Sequence, residues 1–278
     1  MHCDLSGSLA SGEIAPEDGQ GLRVKGFFSP GNWAIIQRME SEIRITKLDY
    51  ALKIPQLHEA AIDFRYLLNR AYPRKASLEL VGNRYQLTFD ERHLLHRGVF
   101  SDGDARKRLK KKVSLQKISG QELAIDGYNV VITIEAALSG RPLVFGDDGF
   151  LRDISGLSGN FRRTEKTEES LRLIYALLKE RKPRRTMFLF DAPISKSGRL
   201  AEEVRKHLQE MNIPGDAEAV RVPEDILIGF PGIVATSDTA IIDQSAKIVD
   251  LAGFLIRQRV PSAPILQFKK RGFRPIRK

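Results

Sequence analysis

The chain has 278 residues, 42% of them hydrophobic, and a formal net charge of +10. It contains no run of about 18 apolar residues, which argues against a membrane-spanning helix, and its first residues lack the pattern of a secretory signal. The single cysteine, Cys3, excludes disulfides within the chain and cysteine-based zinc sites. A reducing, cytoplasmic location is therefore expected.

The positive charge is concentrated in two stretches. Residues 97–117 have a net charge of +6 and residues 257–278 a net charge of +8, which leaves −4 for the rest of the chain. Basic runs beside a folded domain indicate phosphate binding, and Lys110, Lys111 and Lys112 are the predicted substrate contacts. The alternative, which is the commoner fate of charge runs, is a solvated or disordered segment.

The N-terminal part of the chain is predicted to be a mostly disordered segment followed by helices. Residues 1–45 are rich in Gly and Ser and lack a sustained hydrophobic period, so they are expected to be mostly disordered. Residues 46–100 show the spacing of three helices, the third opened by the capping box Thr88–Glu91. Residues 101–119 are predicted to be a basic linker between this helical module and a second domain.

Residues 120–260 alternate between short apolar strands and helices. This alternation predicts βαβ crossovers and a mostly parallel sheet. A hairpin is expected within Pro142–Ile154, and residues 261–278 are predicted to form a basic C-terminal tail. The predicted strands are Leu123–Asp126, Thr186–Phe190, Ala219–Val222, Gly232–Ala235 and Ile248–Val249. The predicted helices are Val130–Leu138, Thr164–Arg181, Gly198–Met211 and Leu251–Gln258.

Three of these strands end on an aspartate or run directly into one. Asp126, Asp191 and Asp238 follow the first, second and fourth strands, and Asp243 lies five residues after Asp238. Because the carboxyl ends of parallel strands meet at one edge of a sheet, we expect these carboxylates to converge there. The alternative for each acid taken alone is a helix N-cap or a turn former.

Crowded carboxylates favour a hard divalent cation bound by oxygen ligands. Mg²⁺ or Mn²⁺ held by Asp126, Asp191, Asp238 and Asp243 would suit phosphodiester hydrolysis, with the first three acids catalytic. Beside them, Asn129 and Ser237 are predicted to contact substrate, and Thr236 offers a further hydroxyl. The remaining acids of this region, read as turn formers on a loop, are Asp147, Asp148 and Asp153.

Two sets of motifs resemble known families. Asp63–Lys75, with Leu80–Tyr85 and Glu91–Val99, resembles the family called domain of unknown function 434. Ile125–Val130 and Val234–Asp243 resemble the PIN-like domain that usually accompanies it. This resemblance implies a PIN-like three-layer α/β/α fold behind a small all-helical module. It also implies a Mg²⁺-dependent ribonuclease with acids at the strand ends.

The resemblance also implies roles for individual acids. Asp126 matches the acid after the first strand, Asp191 and Asp238 match acids after later strands, and Asp243 is a weaker match. PIN enzymes also use an acid on an intermediate helix, and none of the residues at that point of the chain is a clear equivalent. The residues considered are Glu135, Glu168 and Glu169.

The sequence supports three functional hypotheses. The first is a metal-dependent nuclease that hydrolyses phosphodiester bonds, with RNA favoured as substrate. The second is a non-catalytic nucleic-acid-binding protein with a degenerate PIN-like domain. The third, a phosphatase, lacks its Asp-x-Asp motif, since Asp126 is followed by Gly127 and Tyr128. In the first hypothesis the helical module helps to select substrate through Arg65, Arg70, Arg84, Tyr85 and Arg97.

Overall fold

A computed structural model describes residues 55–154 and 161–268. The chain divides into two units, Met1–Leu52 and Lys53–Lys278, and every described residue belongs to the second. The predicted disordered segment 1–45 lies outside the described residues. Among the helices in the described ranges, none combines the length and the apolar character needed to cross a membrane.

The N-terminal part of the described chain is helical, as predicted. Helix α1 spans residues 55–69, and it is followed by α2 (Arg74–Arg84) and α3 (Phe89–Gly98). The capping box at the start of α3 is present, since Thr88 Oγ1 accepts from the Glu91 N–H while the Glu91 carboxylate accepts from the Thr88 N–H at 2.7 Å. This reciprocal pair satisfies two N–H groups that a helix start otherwise leaves unpaired.

The segment predicted as a linker contains regular structure. Helix α4 spans Asp102–Lys111, and a short 3₁₀ helix spans Leu115–Ile118. Ser101 caps α4, acidic side chains occupy its first turn, and basic side chains occupy its last turn, which is the charge order that a helix dipole favours. The charged residues of this segment therefore also favour its helical structure.

The centre of the fold is a five-stranded sheet in which all neighbouring strands are parallel. Its order is β5-β4-β1-β6-β7, so β1 is the middle strand. The strands are β1 (Glu122–Asp126), β4 (Arg185–Asp191), β5 (Gly215–Val220), β6 (Ile233–Ala235) and β7 (Ile248–Val249). The connecting helices are α5 (Gly127–Leu138), α6 (Glu165–Arg181), α7 (Ser197–Glu210), α8 (Pro223–Ile228), α9 (Thr239–Gln244) and α10 (Leu251–Arg259).

Both faces of this sheet are covered. Alternate strand residues point to opposite faces, and in β1 the side chains of Leu123 and Ile125 join the larger core cluster while Ala124 joins the smaller one. The larger cluster contains the apolar sides of α5, α6, α7 and α10. The smaller cluster contains residues of α8 and α9. The strands thus have apolar contacts on both sides, as parallel sheets require.

A second, three-stranded sheet contains the predicted hairpin. Strands β2 (Leu143–Phe145) and β3 (Leu151–Asp153) are antiparallel, and Gly149 in the turn has φ +83°, which favours glycine. Strand β8 (Ile265–Gln267) pairs in parallel with β2. The first part of the predicted basic tail is therefore a strand, because its short apolar stretch finds a partner in β2. Residues 269–278 lie outside the described residues.

Candidate functional site

Asp126 is the last residue of the central strand and directly precedes α5. The next residue must be glycine, because a Cβ at Gly127 would lie 2.8 Å from the carbonyl oxygen of Leu189 on β4. Because β1 pairs in parallel with β4 on one side and β6 on the other, Asp126 lies at the carboxyl edge between these two strands. Sequence reasoning predicted that position from the apolar run that ends on this acid.

The Asp126 side chain is buried, and no cationic side chain of the described residues pairs with it. Its residue is only 7% exposed, and its Oδ2 accepts a hydrogen bond from Thr236 Oγ1 at 2.8 Å. Although it occupies the N-cap position of α5, its side chain makes no capping hydrogen bond. Burial raises the pKa of Asp126 to about 7, and the charges of Asp238 and Asp191 act in the same direction, against the hydrogen bond from Thr236 and the nearby backbone N–H of Asn129.

Asp191 ends β4, beside β1, and is half-buried. Burial raises the pKa of its carboxyl, and the charge of Glu224 raises it further. Glu224 lies in the first turn of α8, just after β5, and sequence reasoning missed it. The signal was present, since Glu224 is another acid that closely follows a strand. We call Asp126, Asp191, Asp238 and Glu224 the acidic edge.

Asp238 is directed largely to its own helix. It is the N-cap of α9, and its Oδ1 accepts from the backbone N–H groups of Ala240 at 2.8 Å and Ile241 at 3.2 Å. Asp250, which follows β7, caps α10 in the same way through the Gly253 N–H. The capping alternative therefore describes the geometry of both these acids, whereas it does not describe Asp126.

Asp243, the fourth predicted metal ligand, is paired with an arginine. Both of its carboxylate oxygens accept from the Arg108 guanidinium, each at 2.7 Å. Lys111, a predicted phosphate contact, donates instead to the Ile242 carbonyl oxygen at 3.0 Å and to the carbonyl oxygen of Asp243. These contacts attach α4 to α9.

The other two predicted lysines differ from each other. Lys112 donates to Asp250 Oδ2 at 3.1 Å and to the Gly149 carbonyl oxygen, so its charge is used within the fold. Lys110 is exposed on the surface of α4. Arg108, in the same basic stretch of residues 97–117, is buried. Three cations of this stretch, Arg108, Lys111 and Lys112, therefore make contacts within the fold.

Asn129 and Ser237, both predicted to contact substrate, contact each other. The Asn129 Oδ1 accepts from the Ser237 backbone N–H at 2.9 Å and from Ser237 Oγ at 3.0 Å. Together with the Thr236 bond to Asp126, these contacts join the start of α5 to the chain that leaves β6. They hold the ends of β1 and β6 in one rigid arrangement at the acidic edge.

The hairpin acids belong to an ion-pair cluster with arginines. Asp148 is fully buried and accepts two hydrogen bonds from Arg152, each at 2.8 Å, while Arg108 lies 3.4 Å away. Asp147 accepts two hydrogen bonds from Arg65 at 2.8 and 2.9 Å. We call these five residues the arginine–aspartate cluster. It joins the N-terminal helices to the hairpin, and Arg65 is thereby not available for substrate.

The acids considered for a fourth catalytic position also have other partners. Glu135 is buried and accepts from Thr167 Oγ1 at 2.6 Å and Thr164 Oγ1 at 3.0 Å. Glu168 forms an ion pair with Arg163, and Glu169 forms one with Lys166 at 2.9 Å. Over residues 55–154 and 161–268, no three acidic or histidine side chains are placed so that they could hold a metal ion together.

A pocket of about 670 Å³ adjoins the acidic edge. Tyr128 forms one wall, and Asp191 contributes to raising the pKa of its hydroxyl to about 12, although burial is the larger cause. Four basic side chains also line this pocket, and sequence reasoning did not single them out. We call it the basic pocket; its lining residues are Tyr128, Phe161, Arg162, Arg163, Ser195, Lys196, Arg199 and Leu200.

Comparison with known families assigns both parts of the described chain. The family model described as Domain of unknown function (DUF5616) matches residues 115–254, about half of the sequence. The chain belongs to the DUF5616 family. A second model, described as Protein of unknown function (DUF434), matches residues 56–111, which confirms the resemblance of the N-terminal helices to that family.

A relative matches most of the chain. An uncharacterized protein of Methanocaldococcus jannaschii is 32% identical over 197 residues, which make up 70% of this chain and 94% of the relative. No solved structure matches the chain. The acidic edge and the basic pocket both lie within the DUF5616 match. The ion pair between Arg108 and Asp243 joins that match to the DUF434 match.

Proposed function

We propose that the domain is PIN-like and that its acidic edge hydrolyses phosphodiester bonds with the help of a divalent cation, RNA being the favoured substrate. The observation that carries this proposal is Asp126. It is a buried carboxylate without a cationic partner among the described residues, beside two further acids at the centre of a parallel sheet. Strongly perturbed acids of this kind cluster at functional sites.

The donor atoms at the acidic edge suit Mg²⁺ or Mn²⁺. Carboxylate oxygens from Asp126 and Asp191 are hard ligands, and the charge of each acid is unfavourable to the other until a cation neutralises it. Since no group of three acids or histidines is present in the described ranges, the ion would bind through these two carboxylates and keep most of its water, as Mg²⁺ commonly does. When bound, it supplies a water of lowered pKa and neutralises charge on a phosphoryl oxygen.

The surrounding residues position the acids. Thr236 holds one oxygen of Asp126, and the bonds between Asn129 and Ser237 fix the loop that carries Thr236. A rigid support of this kind is what a metal site requires, because ligand orientation depends on the residues behind the ligands. The pKa of Asp126, about 7, means that cation binding near neutral pH would displace a proton from this carboxyl.

The experiment compares cleavage of labelled single-stranded RNA by wild type, Asp126→Asn and Asp191→Asn, each with Mg²⁺, Mn²⁺ or EDTA. We expect metal-dependent cleavage that falls at least about 100-fold in both variants, as expected when a site's central charged groups are removed. The matched control is Glu210→Gln. Glu210 is the last residue of α7, and this variant should cleave RNA like wild type. Equal cleavage by all four proteins would exclude the acidic edge as the active site.

A second function, nucleic-acid binding without catalysis, is favoured by a specific observation. Asp238 caps α9 and Asp243 is paired with Arg108, so two of the four predicted ligands already have partners. Binding of the same labelled RNA that weakens steeply with salt, together with no cleavage in the presence of either metal, would support this second function.

A further inference from the structure

The four basic side chains of the basic pocket differ in their ion-pair partners. Arg163 is paired with Glu168 and Glu203, and Arg199 is paired with Glu203 at 3.1 Å. Arg162 and Lys196 form no ion pair with any residue in the described ranges. Two cations that serve no internal contact there therefore remain at the wall of an open cavity, next to the acidic edge.

The start of α7 adds to this positive character. Lys196 is its N-cap residue and has φ +65°, a conformation in which its side chain does not cap the helix. The first turn of this 14-residue helix contains no acid. A helix start carries a partial positive charge and unpaired N–H groups, which together attract phosphate. A Cβ built at Gly198 meets no atom within 4 Å, so there is open space at this end of the helix.

Two aromatic side chains, Phe161 and Tyr128, line the same pocket and form its aromatic wall. Phe161 is half-buried, and its ring packs against Tyr128 with centroids 4.9 Å apart. Tyr128 in turn contacts Phe190 of the core at 5.2 Å. The ion pairs of Arg163 with α6 and α7 keep this wall in place. A fixed ring beside unneutralised cations is how proteins bind single-stranded nucleic acids, with bases stacked and phosphates paired.

We infer that the basic pocket binds one nucleotide of a single-stranded nucleic acid. Its phosphate would lie at Lys196, Arg162 and the start of α7, and its base beside Phe161. This inference rests on the proposed function, because the pocket residues Tyr128 and Ser195 follow Asp126 and Asp191 by two and four residues and Tyr128 is close enough to Asp191 to be affected by its charge. A bound strand would extend from the pocket along the carboxyl edge and present its next phosphate to the acids.

The test measures binding of a labelled single-stranded RNA to the full chain by fluorescence anisotropy in EDTA, so that cleavage plays no part. We expect Lys196→Ala and Arg162→Ala each to weaken binding about 5- to 10-fold and to reduce the salt dependence by about one phosphate contact. The control Lys206→Ala, ten residues further along α7, should bind within about twofold of wild type. Unchanged affinity in both pocket variants would overturn the inference.

A second pair of variants separates a lost contact from a lost fold. Gly198→Glu places an acid where a helix start favours one, so stability should be kept or increased while phosphate binding falls about 10-fold. Gly198→Gln is the matched uncharged control and should fall less. If Gly198→Glu binds RNA as wild type does, the phosphate is not at the start of α7 and the inference fails.

The position of the base is tested with Phe161→Leu. This variant should bind RNA about 5-fold more weakly, since stacking contributes to the affinity for each base, and should bind tripolyphosphate like wild type. Equal RNA affinity, or equal binding of a duplex of the same sequence, would contradict the single-stranded nucleotide. Absence of cleavage in the metal assay would refute the proposed function alone, because these affinities do not depend on catalysis.

Discussion

The acidic edge and the arginine–aspartate cluster bury the same residue type in opposite ways. Asp148 is fully buried, and although burial alone would raise its pKa, Arg152 and Arg108 hold the pKa of this carboxyl below its usual value. Asp126 is almost as buried, but its neighbours are the Thr236 hydroxyl, the backbone N–H of Asn129 and two other acids, and its pKa rises to about 7. The first acid is stabilised by its surroundings and the second is destabilised by them.

This difference is the one expected between a structural acid and the functional acid proposed at position 126. A buried carboxylate that lowers the stability of the fold is commonly retained because it binds a cation or a substrate. A carboxylate that is paired with arginines on both sides already contributes to the fold and needs no ligand. Mutation of the two acids should therefore change stability in opposite directions.

The largest effect is expected at Asp148. Asp148→Asn removes the charge that faces Arg152 and Arg108 and leaves two poorly exposed guanidiniums without it. Breaking a buried pair from one side costs about 3–5 kcal/mol of the free energy of unfolding. Urea denaturation measures this loss, with exposed Glu210→Gln as the control. A loss below about 1 kcal/mol would mean that the cluster is not what holds the hairpin to the helices.

An effect of opposite sign is expected at Asp126. Its folded pKa of about 7 exceeds the usual value of 3.8, so the stability that its proton provides is fully present below the unfolded pKa and is lost as pH rises through 7. Asp126→Asn mimics the protonated form and still accepts from Thr236. In EDTA at pH 8 it should raise the free energy of unfolding by on the order of 2 kcal/mol.

The control for Asp126 is the same comparison at lower pH. Near pH 4 wild type itself is protonated at this carboxyl in the folded state, so the two proteins should have nearly equal stability. Urea denaturation at both pH values gives the difference directly. A variant that is less stable than wild type at pH 8 would show that Asp126 is a structural acid, and the contrast with Asp148 would disappear.

Local sequence patterns predicted the sheet but only part of the site. The apolar runs that end at Asp126 and Asp191 were enough to place both acids at the carboxyl edge, because parallel strands bring their ends together. The edge strand β5 was predicted too late, at Ala219–Val222, since Asp216 and Glu218 interrupt the apolar residues of its sequence. Glu224 was overlooked although it follows the predicted end of that strand, Val222, by only two residues.

What the sequence could not indicate are the partners that lie far apart in the chain. Asp126 and Thr236 are 110 residues apart, and Arg108 and Asp243 are 135 residues apart. Asp126 and Asp238 had the same capping alternative, and only the contacts in the structure distinguish them. Strand β8 was missed for a similar reason, since three residues within a basic tail form a strand only because β2 is beside them.

The smallest effect is expected at Asp238, which belongs to the acidic edge but caps a helix. Asp238→Ala removes the two cap hydrogen bonds and should lower the free energy of unfolding by about 1 kcal/mol. Asp238→Asn keeps a capping oxygen and should have the stability of wild type. RNA cleavage by Asp238→Asn then tests the role of the charge alone. A cleavage rate near that of wild type would show that Asp238 acts only as a helix cap. A loss as large as that of Asp126→Asn would show that one carboxylate both caps α9 and serves the cation.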